Sequence, residues 1–185
     1  YATDKGVMYF TSAGNFAGSG ASYTADITPS GAGNVAVAVN ANAAQDAASN
    51  GNTAATQVSV TYDAVQPTVA IQNAPAYKNN TALFNVTYEF SENVSGFVAG
   101  DVTVINAAKG ALVAVDGNTY TMDITPTGAG NITIDIAAAA AQDAASNNNT
   151  AATQVSVIYD AVAPTVAIQN APAYKNNITA FNVTF

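Results

Sequence analysis

The stretch Tyr62-Asp63-Ala64-Val65-Gln66-Pro67-Thr68-Val69-Ala70-Ile71 returns almost unchanged as Tyr159-Asp160-Ala161-Val162-Ala163-Pro164-Thr165-Val166-Ala167-Ile168. The offset of 97 residues holds elsewhere, carrying Tyr23 onto Tyr120, Pro29 onto Pro126 and Asp46 onto Asp143. A fixed period constrains a fold more than any single motif does, because each period has to be one structural unit. This period is too long for a helical repeat of the ankyrin or tetratricopeptide kind, and it is about the size of one small β-sandwich. The chain therefore reads as a partial unit at 1–62, a complete one at 63–159 and the opening of a further one at 160–185. Asp-x-x-x-Pro-Thr is the joint between them.

Within the complete unit, short runs of alternating apolar and polar residues are separated by Gly, Asn, Pro and Ser clusters, the pattern of half-buried strands and turns. Val69 and Ile71 open the first strand, followed by a turn from Asn73 to Asn80. Phe84, Val86, Tyr88 and Phe90 make the second, with the period of two that places them all on one face. Val102 and Val104 mark a third strand, and Leu112 to Val115 a fourth ended by Asp116-Gly117-Asn118. Tyr120, Met122 and Ile124 mark the fifth, and Ile132, Ile134 and Ile136 the sixth. Val155, Val157 and Tyr159 mark the seventh. Pro126 and the glycines after it read as a turn, and Ala137 to Ala141 as a strand end running into a loop. Seven short antiparallel strands in this length predict an all-β fold of tandem, seven-stranded, immunoglobulin-like sandwiches. By the same alignment residues 1–62 lack the first two strands and residues 160–185 hold only those two. Two readings of the ends stand side by side. The chain is a window on a longer array, or strands from 164–185 complete the open sandwich of a neighbouring chain and so build a filament.

Composition narrows the chemistry. With no histidine and no cysteine, a His-based triad, a thiolate nucleophile and a His or Cys zinc site are all ruled out. Carboxylate pairs remain, in a small sandwich with no tryptophan platform, so no enzymatic activity is expected. Four lysines, no arginine and a net charge of −8 exclude nucleic acid as a partner, because phosphate binding needs clustered cations. The longest apolar run, around 137–141, is far short of the ~20 residues that span a bilayer. No membrane span is expected in this segment. The chain starts mid-repeat and without methionine, so its first residues say nothing about export.

Strand counting gathers the acidic loops. If strands alternate up and down, loops 91–101 and 137–150 lie at the end where the joint enters. Asp63, Glu92, Asp101 and Asp143 then converge there, with Asn147 or Asn148 as amide oxygens. Carboxylates and amide oxygens on loops suit calcium, which takes six to eight oxygen ligands. The same residues also suit turn formation and capping alone. Tyr77 and Tyr174, beside Lys78 and Lys175, can offer a sugar-stacking face or pack across a turn. Lys78 is a candidate for an isopeptide bond to Asn, or simply a hairpin lysine. Asn-x-Thr triplets begin at Asn79, Asn85, Asn131, Asn148 and Asn182, as acceptors in a glycosylating host or as chance in a chain rich in Asn and Thr.

Asp160-Ala-Val-Ala-Pro-Thr-Val, Phe90-Ser-Glu-Asn-Val-Ser-Gly-Phe, Gly100-Asp101-Val-Thr-Val and Ala141-Gln-Asp-Ala-Ala-Ser-Asn together resemble the bacterial Ig-like repeats of giant surface adhesins. The resemblance implies a non-catalytic spacer or fibre-forming module outside the bacterial cell, serving cell adhesion or a biofilm matrix. Its partners would be neighbouring copies of itself. It also implies calcium at domain junctions, here at Asp63, Glu92, Asp101 and Asp143, with Asp4, Asp46 and Asp160 in the partial copies. The alternative function is a glycan- or surface-binding module. The low charge, and the poor match of Thr3 to Val7 with a third strand, depart from the family pattern.

Overall fold

The computed structural model describes residues 10–174 and 180–185. Asp4, the Thr3–Val7 stretch and Lys175 lie outside those residues. The strands, in chain order, are β1 (Phe10–Ser19), β2 (Ser22–Pro29), β3 (Gly33–Val37), β4 (Val58–Tyr62), β5 (Val69–Gln72) and β6 (Tyr77–Lys78). They continue with β7 (Phe84–Phe90), β8 (Val102–Ile105), β9 (Ala107–Ala114), β10 (Thr119–Pro126), β11 (Gly130–Ile136) and β12 (Val155–Tyr159).

The complete period folds as two four-stranded sheets, in the orders β5-β7-β10-β9 and β6-β12-β11-β8. This is an immunoglobulin-like sandwich. Alternation does the work: every second residue of β7, of β10 and of β11 from Ile132 onward is buried, and Val86, Tyr88, Ile124, Ile132, Ile134, Ile136 and Val157 are sealed from solvent. Both sheets contribute to one apolar cluster, which Phe97 closes at one end from the loop after β7. Phe97 meets Tyr88, Phe90 and Tyr120 edge-on, with ring centroids 5.9, 5.1 and 5.1 Å away.

Three details differ from the sequence expectation. The unit has eight strands, because the expected turn 73–80 contains β6. Asn73 adopts a left-handed φ of 62° and Pro75 follows, so the chain leaves the first sheet and pairs parallel with β12 in the second. Strand β9 spans Ala107–Ala114 rather than 112–115, its mostly exposed residues lacking the alternation that marks a strand in sequence. Pro126 ends β10 instead of belonging to the turn, and it is buried; it lies opposite Ala107. The stretch 137–141 runs from the end of β11 into a turn, as the sequence predicts, with Ala139 at φ 62°.

The partial periods keep the local structure of their counterparts. β1 with β2, and β3 with β4, form hairpins, and the register of Val35 opposite Val60 repeats that of Ile132 opposite Val157. In 160–185, Gln169 bridges Thr184 as Gln72 pairs with Thr87. No described helix is long and apolar enough to cross a membrane.

Candidate functional site at the joint

The antiparallel ladder brings four segments to one end of the sandwich: the joint 63–68, the loop 91–101, the turn 115–118 and the loop 137–154. Backbone hydrogen bonds lace them together. Ser95 and Gln142 exchange N–H···O bonds of 2.7 and 3.0 Å, and Val94 N–H donates to Gly117 O over 2.9 Å.

The joint is built into this end of the sandwich that follows it. Asp63 starts it with a local turn, its Oδ1 accepting the Val65 N–H over 2.9 Å. Pro67 is sealed from solvent, and its carbonyl accepts the Thr150 N–H over 2.8 Å. Thr68 and Ser91 clasp each other: Thr68 N–H donates to Ser91 Oγ over 3.0 Å, and Ser91 N–H to Thr68 O over 2.9 Å. Across 84 residues of sequence, Asn147 Nδ2 donates to the Asp63 carbonyl over 3.1 Å.

Three of the four expected carboxylates meet here. Oxygens of Asp63, Glu92 and Asp143 lie within 4.8 Å of one another, with Asp143 buried and the other two half-buried. Asp101 is not one of the trio. It sits in a single 3₁₀ turn, Ala99–Asp101, and its Oδ2 turns back to accept the Val98 N–H over 2.8 Å. The two asparagines also differ from expectation. Asn147 presents its amide nitrogen to Asp63 and Asp143, and the Asn148 oxygen accepts from Gln142 Nε2 over 2.9 Å.

The electrostatics of Glu92 and Asp143 diverge. Asp143 is buried, which by itself disfavours the charged form. Hydrogen bonds from the Asn147 side chain and backbone and from the Ala145 backbone, with Ser146 close by, outweigh that and hold its carboxyl below the usual range. Glu92 accepts no hydrogen bond among the described residues, and its carboxyl is pushed up, first by burial and then by the charges of Asp143 and Asp63. The sign follows by linkage. A raised folded pKa favours the fold below the ordinary glutamate range and disfavours it as pH rises through the shifted value. Glu92→Gln should therefore raise Tm at pH 7 in chelator, with the gain vanishing at pH 3. A Gln variant less stable than the parent at pH 7 would contradict this.

One residue that composition did not single out holds the site's frame. Asn149 is fully buried in loop 137–154; its Oδ1 accepts the Ala141 N–H over 2.7 Å, and its Nδ2 donates to Ala137 O and Thr150 O over 3.1 and 2.7 Å. Asn52, its counterpart one period earlier, makes the equivalent bonds to Ala44, Asn40 and Thr53. That recurrence, beside the change from Gly51 to Asn148, is the signal in sequence that singles it out. Asp46 and Asp160, counterparts of Asp143 and Asp63, keep the local bonds of their equivalents and join no acidic trio among the described residues.

Elsewhere, Tyr77 and Tyr174 are exposed, Tyr77 on β6 rather than packed across the turn. Lys78 Nζ lies 5.9 Å from the Phe84 ring centroid, a cation–π contact. The family model for the bacterial Ig-like domain matches residues 63–159, the same span as the complete period and just over half of the 185 residues. No curated protein matches the chain.

Proposed function

The chain belongs to the bacterial Ig-like domain family, and from that premise we propose that it is a non-catalytic length of extracellular stalk or fibre in an adhesin-like surface or matrix protein. Members of such a family are structural modules, commonly outside the cell. The observation that carries the stalk reading is the joint. Tyr62 ends β4, and the next residues enter the following sandwich at once, with Pro67 buried and pinned to Thr150 and the Asp63 carbonyl held by Asn147. A proline-stiffened connection without slack passes tension from one unit to the next, which is what a spacer has to do and a freely tethered module does not. Tyr159 and Asp160 begin the same connection again.

Calcium at this joint is part of the proposal. Asp63, Glu92 and Asp143 would hold it, and the ion would supply positive charge where three carboxylates repel one another. The donor set fits a hard cation, with Glu92 uncommitted to any described hydrogen bond and water completing the shell. Asp101 has no part in it. Bound there, calcium ties the joint to loops 91–101 and 137–154 of the same sandwich.

Pulling single chains from both ends, in calcium and in chelator, tests both parts. The stalk reading expects one abrupt event from the complete unit, releasing roughly 300 Å of extended chain. The calcium reading expects the force of that event to fall in chelator. Gradual extension without a step overturns the stalk; equal forces overturn the ion and leave the stalk standing.

A further inference from the structure

Asn-x-Thr and Asn-x-Ser triplets recur along the chain, and the fold sorts them. Attaching a sugar to asparagine needs a free side-chain amide nitrogen, a hydroxyl two residues on, and a surface loop that reaches the transferring enzyme. Most of the triplets fail one of these conditions. Asn85 lies on β7 between β5 and β10, and its Nδ2 donates to Asp123 Oδ1 over 3.0 Å. Asn131 lies on β11 between β12 and β8, opposite Ile158. In Asn93-Val94-Ser95 the backbone is bonded to Gly117 and Gln142, and the Ser95 hydroxyl donates to Gln142 O over 3.3 Å. In Asn148-Asn149-Thr150 the middle residue is buried and the Thr150 N–H is held by Pro67 O. In Asn182-Val183-Thr184 the Thr184 hydroxyl accepts from Asn170 Nδ2, and its backbone is bridged to Gln169. A further triplet, Asn177-Ile178-Thr179, lies outside the described residues.

Asn79-Asn80-Thr81 is the exception. It follows β6 in the irregular loop 79–83, and all three residues are exposed. Asn80 alone holds the turn: its Oδ1 accepts the Ala82 N–H over 3.1 Å, and its Nδ2 donates to Asn79 Oδ1 over 3.1 Å. The Asn79 amide nitrogen and the Thr81 hydroxyl are left without a hydrogen-bond partner among the described residues. Beside them, a groove of about 350 Å³ is lined by Tyr77, Lys78, Asn79, Ile158 and Asp160. Tyr77 is 72% exposed and Ile158 42%. Their apolar surfaces suit the C–H face of a sugar ring, and Lys78 and Asp160 suit its hydroxyls.

We propose that Asn79 is a site of N-linked glycosylation, with the first sugar seated in this groove. The donor is a sugar activated as a glycosyl diphosphate, carried on a nucleotide or a lipid. Asn79 Nδ2 attacks its C1; the C–N bond forms as the bond from C1 to the phosphate oxygen breaks. The amide gives up one proton, and the diphosphate leaves on its carrier. Because β6 is an edge strand, a sugar here also screens that edge from pairing with a foreign strand. The assignment goes beyond the stalk reading and does not depend on it.

Peptide mapping by mass spectrometry, on the chain isolated from the cells that make it, tests the assignment. Asn79 should carry sugar, and Asn85, Asn93, Asn131 and Asn148 none. A single hexose identifies a nucleotide-linked donor, and a preassembled oligosaccharide a lipid-linked one. Asn79→Gln and Thr81→Ala should each abolish the modification, whereas Thr81→Ser should keep it. All of these changes fall in an exposed loop, so an unchanged melt of 63–159 reports that each variant is folded. A second measurement uses the unmodified folded chain with UDP-glucose and a sequon-directed N-glucosyltransferase. Asn79 should be glucosylated there, and the strand asparagines only after unfolding in urea. A bare Asn79 in the native chain, or sugar on Asn85 and Asn131 of the folded chain, overturns the assignment. Neither result touches the stalk reading, which falls only with loss of the abrupt unfolding event.

Discussion

Phe97→Ala should cost the complete sandwich about 4 kcal/mol, in the range of large aromatic truncations in packed cores. Phe97 comes from a loop, yet it is 7% exposed and makes three edge-on ring contacts, with Tyr88 and Phe90 from β7 and Tyr120 from β10. Removing the ring opens a cavity at the end of the core beneath the joint, where backbone bonds between Ser95 and Gln142 hold the surrounding loops in place and limit collapse. A domain of this size is stable by roughly 5–15 kcal/mol, so the loss is a large share of the total. Chemical denaturation of the whole chain would read it directly, with Val98→Ala, at an exposed neighbour, as the control within about 0.5 kcal/mol. A loss below about 1 kcal/mol at Phe97 would mean that the ring is not part of the core.

Asn149→Ala should be nearly as damaging, at about 3 kcal/mol. The alanine leaves the Ala141 N–H and the Ala137 and Thr150 carbonyls without the partner they have now, in a part of the loop where Asn149 itself is fully buried. Buried polar groups stripped of a partner cost more than the net worth of the bonds that satisfied them. Asn149→Asp should do no better, since it keeps the acceptor but loses both donors and adds a buried charge. Asn148→Ala, on the exposed neighbour, should be close to neutral. Thermal melts at pH 7 separate these cases, with a fall of roughly 15 °C expected for Asn149→Ala. A loop indifferent to Asn149 would show that its conformation is set by the backbone alone.

Much of the sandwich could be read from the chain because strands β7, β10 and β11 alternate strictly and their apolar residues all face one core. Where alternation fails, so does the reading. Tyr77 and Lys78 form a two-residue strand whose partner, β12, lies some eighty residues on, and nothing local announces that pairing. The Ala107–Gly110 half of β9 sits at an exposed edge with no apolar face to pattern.

The site divides along similar lines. That loops 91–101 and 137–150 share one end with the joint follows from counting antiparallel strands. Which side chains then meet depends on short-range competition. Asp101 satisfies a backbone N–H within its own turn, whereas Glu92 has no such local partner and points among the other acids. Asn149 was hidden for a different reason. It is the last of three consecutive asparagines, and composition cannot say which one a loop will bury.

Native-state hydrogen exchange on the dilute, monomeric chain tests the central claim most directly, that the span 63–159 is one cooperative sandwich beginning at the aspartate–proline joint. Amides of β7, β10, β11 and β12, together with Thr150 at the joint, should exchange at one common, slowest rate, while β1 to β4 and 164–174 exchange far faster. Equal protection running through Tyr62 and Asp63 into β3 and β4, or protection within 63–159 that splits into unrelated rates, would contradict it.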